Sequence, residues 1–253
     1  MVSQDKRSEI AFSRTNFDEV EEAGNVSDRE RRMVHLRVTK MDKLRGNTML
    51  DCGCGTGKDA ALLASLGNYV VGTDISQAAI AKAKKTSKNY NVDLDLVVAD
   101  SEKLPFKEGC FDVCYCFWTL HHFPSIAGVL SELNGRLRAG GHLIIIEPNG
   151  SNLVVRLSER IEDQVRTWLV LTGADTPNET MHDLVTYLRN LEAAGFRHIR
   201  SIQWFGGGLP PLPNSSALLL VLVQVRKMMM EFEWHLLPPP MNGSDLVLSA
   251  EKS

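Results

Sequence analysis

The run from Met49 to Asp59 reads Met-Leu-Asp-Cys-Gly-Cys-Gly-Thr-Gly-Lys-Asp, and no other feature constrains the fold of this chain as strongly. A short apolar start ends in Asp51, glycines follow at positions 53, 55 and 57, and residues 59–66 have a helix-like composition. Glycine has no Cβ and tolerates positive φ, so a strand, a glycine turn and a helix bring backbone close to a ligand. The run therefore predicts a loop that holds a nucleoside-bearing cofactor.

The loop lacks the residues that two common nucleotide-binding motifs require. A phosphate-binding P-loop needs a glycine five residues before Gly57 and a hydroxyl residue after Lys58, and both are missing. The dinucleotide fingerprint fails because Lys58 stands where its third glycine would be. The carboxylate of Asp51 would repel a pyrophosphate and attract a cation. These observations favour a cofactor that carries an ammonium or sulfonium group.

Two more predicted strands also end in an acid. Residues 70–74 are an apolar strand that ends in Asp74, and residues 94–100 are a strand that ends in Asp100. Asp74 follows the glycine loop by roughly the 20 residues at which a ribose-binding carboxylate is expected. Parallel strands that each end in aspartate would bring three carboxylates to one edge of a sheet.

At this point the chain resembles the class I S-adenosylmethionine-dependent methyltransferases, and within them the small-molecule branch of the ubiquinone and menaquinone methyltransferases. The matching segments occur in the order and spacing of that family from about residue 46 to 148. They are 50–57, 72–74, 99–100, 104–106, 111–113 and 137–143. The resemblance implies a Rossmann-like, doubly wound α/β sheet of seven strands, mostly parallel with an antiparallel last strand.

The resemblance also implies a cofactor site for S-adenosylmethionine. Asp51, Gly53 and Gly55 would face its methionine part, and the two carboxylate oxygens of Asp74 would accept from the vicinal ribose hydroxyls, with Ile75 alongside. Asp100 and Ser101 would lie at the adenine, and the backbone of Phe117 would meet the methionine amine. No metal ion is expected.

Three residues that follow the fourth strand are candidates for chemistry. Trp118, His121 and His122 lie where a doubly wound sheet opens its crevice. An imidazole there could remove a proton from an O–H, N–H or acidic C–H group, because histidine titrates near neutrality. The alternative is that one imidazole packs structurally and the other is solvated. Glu147 and Asn149, after the fifth strand, are candidates for lining the substrate pocket together with Trp118.

Composition sets outer limits on the function. A chain of 253 residues with 43% apolar residues can bury the core of one α/β domain with appendages. A net charge of −3 gives no reason to expect nucleic acid as a partner. Five cysteines are an odd number without disulfide-scaffold spacing, and the N-terminus has no apolar signal core. A cytoplasmic protein is expected, with a small-molecule substrate.

The chain divides into an N-terminal segment and one larger domain. Residues 1–45 predict a polar leader and an amphipathic helix, which the resemblance makes a lid, and residues 46–253 form the domain. Between 48 and 147 strands and helices alternate. The predicted strands are 48–52, 69–74, 93–99, 111–117 and 142–147. The predicted helices are 58–66, 77–88 and 126–138, with Gly140 and Gly141 closing the last helix and turning the chain.

Beyond Pro148 the pattern changes. Helices are predicted at 151–171 and 181–194, and strands at 196–205 and 245–250. About 39 residues would separate the last two strands, too many for a simple hairpin loop. The insertions at about 149–178 and 206–244 are the natural places for substrate specificity. The apolar stretch 216–234 predicts a lid or a homodimer interface, with peripheral membrane contact as the alternative.

Taken together, the sequence predicts a methyltransferase that acts by in-line SN2 transfer to a small acceptor, lipophilic or aromatic. Two other functions remain open on the sequence alone. One is an NAD-type oxidoreductase, since the glycine loop shares part of its fingerprint with the dinucleotide-binding proteins. The other is a non-catalytic scaffold that binds S-adenosylmethionine. Cysteine-based chemistry is a further and more remote alternative.

Overall fold

The computed structural model of the chain describes residues 45–123, 125–152, 155–156, 180–204 and 245–253. Its strands are β1 (Thr48–Cys52), β2 (Tyr69–Asp74), β3 (Asp95–Val98), β4 (Phe111–Phe117), β5 (Leu137–Pro148), β6 (Phe196–Trp204) and β7 (Asp245–Lys252). Its α-helices are α1 (Lys58–Ser65), α2 (Gln77–Tyr90), α3 (Ala127–Arg136) and α4 (Leu184–Ala193). A turn of 3-10 helix, Leu120–His122, follows β4.

The seven strands form one sheet in the order β3-β2-β1-β4-β5-β7-β6. β1 to β5 run parallel, and β7 is antiparallel to both β5 and β6. This confirms the predicted Rossmann-like sheet. The strand order reverses between β1 and β4, so the crevice of a doubly wound sheet opens outside the carboxyl ends of those two strands.

Consecutive side chains on the central strands point to opposite faces, and each face has its own core. On one face Leu50 and Cys114 pack with apolar residues of α3 and α4. On the other face Met49 and Val113 pack with residues of α1. Helices therefore cover both faces, which explains why β4 and the second half of β5 contain continuous apolar runs, 113–117 and 143–146, instead of alternating apolar and polar residues.

The boundaries of two predicted strands were wrong. β3 is shorter than the predicted 93–99, and β5 starts at Leu137 instead of His142. Phe111 pairs with Leu137 and Val113 pairs with His142. The chain therefore advances by five residues along β5 where it advances by two along β4, which makes a bulge in β5. The glycines at 140 and 141 lie in this bulge and do not end a helix, because α3 has already ended at Arg136. A Cβ at Gly141 would lie 2.9 Å from the Arg138 carbonyl oxygen.

Several predicted elements lie outside the described residues. They are the N-terminal helix and lid within 1–44, most of the helix at 151–171, and the segment 206–244 with its apolar stretch 216–234. The division into a lid at 1–45 and a domain at 46–253 therefore remains a prediction. Within the part of the chain that the structure describes, no helix is both long and apolar enough to span a membrane.

The described residues show where the second insertion joins the sheet. Trp204, the last residue of β6, pairs with Asp245, the first of β7, and Asp245 in turn pairs with Pro148. Pro148 is at the carboxyl end of β5. Both ends of the segment 205–244 are therefore attached at the same edge of the sheet as the ends of β1, β2 and β4.

The central position of β5 leads to a test of the core. Leu143 is fully buried between β4 and β7. We expect Leu143→Ala to lower the free energy of unfolding by about 2–5 kcal/mol, because truncation leaves a cavity in a packed core. Urea denaturation measures it. Val185→Ala, at a half-exposed position on α4, should change stability by less than about 0.5 kcal/mol. Equal effects would contradict this description of the core.

Candidate functional site

The glycine loop after β1 has the geometry that its sequence predicts. Gly53, Gly55 and Gly57 have φ values of 73°, 50° and 77°, in the left-handed region that favours glycine. A Cβ on Gly53 would lie 2.3 Å from Thr119 Cγ2, and a Cβ on Gly57 would lie 2.7 Å from Ala83 Cβ. The loop is therefore packed against the segment after β4 on one side and against α2 on the other.

Asp51 is the penultimate residue of β1 and is only 1% exposed. Its Oδ2 has no hydrogen-bond partner among the described residues. Burial raises the pKa of this carboxyl well above its usual range, and the negative charges of Asp59 and Asp74 add to the effect. A buried carboxylate with an unsatisfied oxygen is costly unless a ligand supplies the missing donor or cation.

Asp74 lies at the end of β2 and holds the glycine loop. Its Oδ2 accepts from the backbone N–H of Gly55 at 3.0 Å, and its Oδ1 accepts from that of Ser76 at 2.8 Å. Burial raises the pKa of Asp74, and these two backbone donors lower it. Each carboxylate oxygen can accept a second hydrogen bond, so Asp74 retains acceptor capacity beside the loop.

The third predicted acid lies at the end of β3. Asp100 is next to β2, since the N–H of Ala99 donates to the Asp74 carbonyl oxygen at 3.0 Å. The Oδ1 of Asp100 accepts from the backbone N–H of Glu102 at 3.0 Å, so this oxygen stabilises a turn. Ser101 beside it is buried. The structure thus brings Asp51, Asp74 and Asp100 to one edge of the sheet, at the ends of three adjacent strands.

The backbone turns sharply where β4 ends. Trp118 has a φ of 49°, which is unusual for a bulky side chain. Its indole stacks on the ring of Phe117 with centroids 5.7 Å apart, and its Nε1 donates to Asp245 Oδ1 at 2.9 Å. Asp245 is the residue with which β7 begins after the second insertion. A strained residue is therefore held between the glycine loop and the start of β7.

Glu147 lies beneath this turn and is fully buried. Its Oε1 accepts from the N–H of Thr119 at 2.6 Å and from that of Leu120 at 2.7 Å. Its Oε2 accepts from the N–H of His121 at 3.3 Å and lies 2.7 Å from His121 Nδ1. Glu147 thus contacts the turn from inside the protein. Its predicted role of lining a substrate pocket with Trp118 and Asn149 remains a prediction.

The two adjacent histidines have different environments. His121 is 6% exposed and bound to Glu147, whereas His122 is partly exposed. Their ring centroids are 4.1 Å apart. The segment before α4 also reaches this turn, because the N–H of Thr180 donates to the His121 carbonyl oxygen at 2.7 Å. His182 Nε2 lies 3.4 Å from the Phe123 carbonyl oxygen.

Asn149 is buried after β5, and its side chain serves the backbone. Its Oδ1 accepts from the N–H of Ser151 at 3.0 Å. Ser151 in turn accepts from the N–H of Leu184 at 3.2 Å, where α4 begins. Asn149 therefore anchors the chain as it leaves the sheet, and its pocket-lining role remains a prediction.

Three residues that contribute to the site were not predicted from the sequence. Thr119 packs on Gly53, and its hydroxyl donates to the Gly53 carbonyl oxygen at 3.3 Å. Asp59 places a second carboxylate near Asp51. Asp245 binds the Trp118 indole. The sequence contains a signal only for Asp59, which lies inside the glycine motif. The contacts of Thr119 and Asp245 join segments that are far apart in the chain, so no local pattern indicates them.

The cysteines show no sign of a metal centre. Cys52, Cys54, Cys114 and Cys116 are buried, Cys110 is exposed, and none forms a disulfide. Burial raises the pKa of the Cys114 thiol well above its usual value, which disfavours the thiolate that a metal or a nucleophilic reaction needs. Among the described residues, no three metal-ligating side chains lie close enough together to hold an ion.

Comparison with known proteins connects this geometry to a family. Residues 50–145 match the model of a methyltransferase domain. The sterol 24-C-methyltransferase of Saccharomyces cerevisiae is 36% identical over 116 residues, which cover 45% of this chain and 30% of that protein. The ubiquinone biosynthesis O-methyltransferase of Burkholderia vietnamiensis is 31% identical over 154 residues, 60% of this chain and 63% of that protein. The chain therefore spans less than two thirds of either relative.

Solved structures share the fold over almost the whole chain. Magnesium protoporphyrin IX methyltransferase from Synechocystis has a TM-score of 0.66 at 17% identity, covering 99% of this chain and 100% of that one. Phosphoethanolamine N-methyltransferase 2 from Haemonchus contortus has a TM-score of 0.70 at 17% identity, covering 99% of this chain and 60% of that one. At this level of identity the likeness concerns the fold alone.

The packing of Gly53 on Thr119 gives a second test. Gly53→Ala should lower the free energy of unfolding by at least about 1 kcal/mol more than Gly46→Ala does, because the added methyl group overpacks the contact with Thr119 as well as straining the backbone. Gly46 is the matched control: its φ is 76°, but nothing lies within 4 Å of an added Cβ. Chemical denaturation measures both variants. Thr119→Ala should partly restore the stability of Gly53→Ala, and no restoration would contradict the contact.

The residues matched by the family begin in β1 and end in β5, so they include the glycine loop, Asp74, Asp100 and the turn after β4. The strand order and the motifs agree with that match. Residues 50–145 are therefore similar to a methyltransferase domain, and the fold of the described residues agrees with that similarity.

Proposed function

We propose that this protein is an S-adenosylmethionine-dependent methyltransferase that methylates a small molecule. The observation that carries the proposal is the unsatisfied, buried oxygen of Asp51 beside the glycine loop. It is supported by the match of residues 50–145 to a methyltransferase domain. The bound cofactor would supply a methyl group on a positively charged sulfur, already activated for in-line displacement.

The residues at this edge fit the chemistry of that cofactor. A buried carboxylate that lacks a partner suits the ammonium of an amino acid, as charge pairing offsets the cost of burial. The positive φ values of the glycines and the close approach of Gly53 to Thr119 leave backbone exposed where a Cβ would otherwise stand. Among the described residues, no lysine or arginine donates a hydrogen bond to Asp51 Oδ2.

The remaining cofactor contacts follow the predicted assignment. Asp74 would accept from the ribose hydroxyls while it keeps its bonds to Gly55 and Ser76. Ile75, partly exposed beside it, would contribute apolar contact. Asp100 and Ser101 would meet the adenine amine. The backbone of Phe117, whose carbonyl oxygen accepts from the Thr119 hydroxyl at 3.1 Å, would lie near the ammonium.

For the acceptor we propose a small lipophilic or aromatic molecule. The two sequence relatives are named for a sterol and for ubiquinone biosynthesis, and both names denote small lipophilic chemistry. Trp118 offers an aromatic surface next to the turn, and His121 or His122 would remove the proton of the acceptor. We also propose a cytosolic location, which the five free thiols favour.

The two alternatives make different demands on the same edge. A dinucleotide would place a pyrophosphate against the glycine loop, where Asp51 and Asp59 concentrate negative charge. A scaffold would bind S-adenosylmethionine and leave it unchanged. The residues described at the site have no feature that favours either alternative over the proposed activity.

Calorimetry and a product assay separate the three functions. We expect S-adenosylhomocysteine and S-adenosylmethionine to bind and NAD not to bind. A screen with radiolabelled methyl groups in cell extract, followed by mass spectrometry, should identify a methylated product. Binding of NAD without either adenosyl compound would replace the proposal with an oxidoreductase. Binding of both adenosyl compounds without any product would leave a scaffold.

The environment of Asp51 predicts a pH dependence of binding. The pKa of Asp51 is raised in the ligand-free protein, and an ammonium binds only the ionised carboxyl. The affinity for S-adenosylhomocysteine should therefore rise as pH increases through that raised pKa. At the highest pH values tested, Asp51→Asn should weaken the binding of S-adenosylhomocysteine more than tenfold, because a hydrogen bond between charged groups contributes about 1.5–3 kcal/mol. The same variant should flatten the pH dependence of the affinity. Calorimetry at several pH values measures both effects.

Two controls limit the interpretation of that experiment. Adenosine has no ammonium, so its affinity should depend little on pH and little on Asp51. Glu192→Gln changes an exposed carboxylate on α4 in the same way and should leave binding within twofold of the wild type. An Asp51→Asn protein that binds S-adenosylhomocysteine as tightly as the wild type would remove the basis for assigning Asp51 to the ammonium.

A further inference from the structure

The contacts of Glu147 account for both of its oxygens and for most of the turn after β4. The carboxylate accepts from three consecutive backbone N–H groups, those of Thr119, Leu120 and His121, and also contacts the His121 imidazole. Among the described residues, its ion pair is with His121, and it has no lysine or arginine partner. Both oxygens of this buried carboxylate therefore act as acceptors of backbone hydrogen bonds.

This arrangement determines which nitrogen of His121 carries the hydrogen. An ionised carboxylate only accepts hydrogen bonds. At a distance of 2.7 Å, Nδ1 of His121 must therefore donate to Glu147 Oε2. In the neutral ring the lone pair is then on Nε2, which is the nitrogen that can take a proton. A carboxylate that fixes the tautomer and orientation of an imidazole in this way also stabilises the imidazolium that forms.

We propose that Glu147 is a positioning residue and that His121, not His122, is the general base it serves. The inference rests on the proposed function. The proton of the acceptor O–H or N–H group passes to Nε2 of His121, and the electron pair of the broken bond stays on the acceptor atom. The imidazolium formed is paired with the Glu147 carboxylate. The same carboxylate holds the turn that directly follows Trp118, the residue with a φ of 49°.

The neighbouring ionisable groups are consistent with this assignment. Burial raises the pKa of the Tyr187 hydroxyl on α4 well above its usual value, and the negative charge of Glu147 raises it further, so Tyr187 stays neutral. The hydrogen bond with Cys52, together with burial, raises the pKa of the Cys116 thiol well above its usual value, so Cys116 is neutral as well.

One further histidine, His122, contacts His121, and another, His182, packs on Tyr187. The ring of His122 lies 4.1 Å from that of His121, so a positive charge on one disfavours a charge on the other. His182, before α4, is close to the Phe123 carbonyl oxygen and stacks edge-on against Tyr187. His121 is the histidine whose imidazole contacts the fully buried Glu147 carboxylate.

Nuclear magnetic resonance of the ligand-free protein tests the tautomer without any activity. Correlations between the ring protons and nitrogens of His121 should show hydrogen on Nδ1 in the neutral wild type. In Glu147→Gln the charge is lost at nearly constant volume, so His121 should titrate at lower pH and lose its tautomer preference. Glu192→Gln is the matched control and should leave the His121 signals unchanged. An unchanged titration and tautomer in Glu147→Gln would overturn the proposal.

Kinetics test whether the dyad acts in the reaction. Glu147→Gln should lower kcat by about 10–100-fold, the range seen when a carboxylate that orients an imidazole is removed, with the affinity for S-adenosylhomocysteine within twofold. The rise of kcat with pH should move to lower pH, because an uncharged amide no longer stabilises the imidazolium. In a His121→Ala background the same change should have little further effect on kcat. Independent, multiplicative effects would show that Glu147 acts only on the fold.

A conservative variant covers the case in which Glu147→Gln does not fold. Glu147→Asp keeps the charge and should retain the Nδ1–H tautomer and part of kcat; loss of both in a folded Glu147→Asp protein would also contradict the proposal. The resonance experiment needs neither cofactor nor acceptor. Absence of methyl transfer in the wild type would therefore refute the proposed function, while the tautomer would still report on the dyad.

Discussion

Among the described residues, backbone N–H groups supply most of the hydrogen bonds to the two carboxylates that hold this site together. Asp74 accepts from Gly55 and Ser76, and Glu147 accepts from Thr119, Leu120 and His121. Backbone donors satisfy a buried carboxylate without adding a positive side chain. The edge of the sheet therefore stays negative, and the unsatisfied oxygen of Asp51 keeps its capacity for a cationic ligand.

The two carboxylates connect loops that follow different strands. Through Asp74 the glycine loop after β1 is bound to the end of β2, and through Glu147 the turn after β4 is bound to the end of β5. Thr119 packs on Gly53 and joins the two halves across the point where the strand order reverses. The turn is also bound to the start of β7 through Trp118 and Asp245. Because Asp74 and Glu147 both bind main-chain groups, the loss of one of these contacts is expected to shift the backbone that carries the others.

The sequence predicted the elements that depend on local pattern. The bounds of β1, β2 and β4 agree with the prediction, because apolar runs that end in an acid or a turn are strong local signals. The start of β5 was predicted wrongly: a bulge opposite Phe111 lets Gly140 and Gly141 stay within the strand, and this depends on pairing with β4. Glu147 was predicted from its position at a strand end, but nothing local indicated that it would bind the turn 26–28 residues earlier.

The sequence by itself determined the class of fold, the position of the candidate site at one edge of the sheet and the acids at that edge, since strand ends, glycine positions and acids are properties of short segments. Only the tertiary structure decided which contacts these groups make. Among the described residues, it left Asp51 Oδ2 without a hydrogen-bond partner, turned Glu147 towards His121, and placed Asp245 against Trp118 over a separation of 127 residues. The physical reason is that a hydrogen bond between distant segments depends on the register and packing of the whole sheet, which no short stretch of sequence encodes.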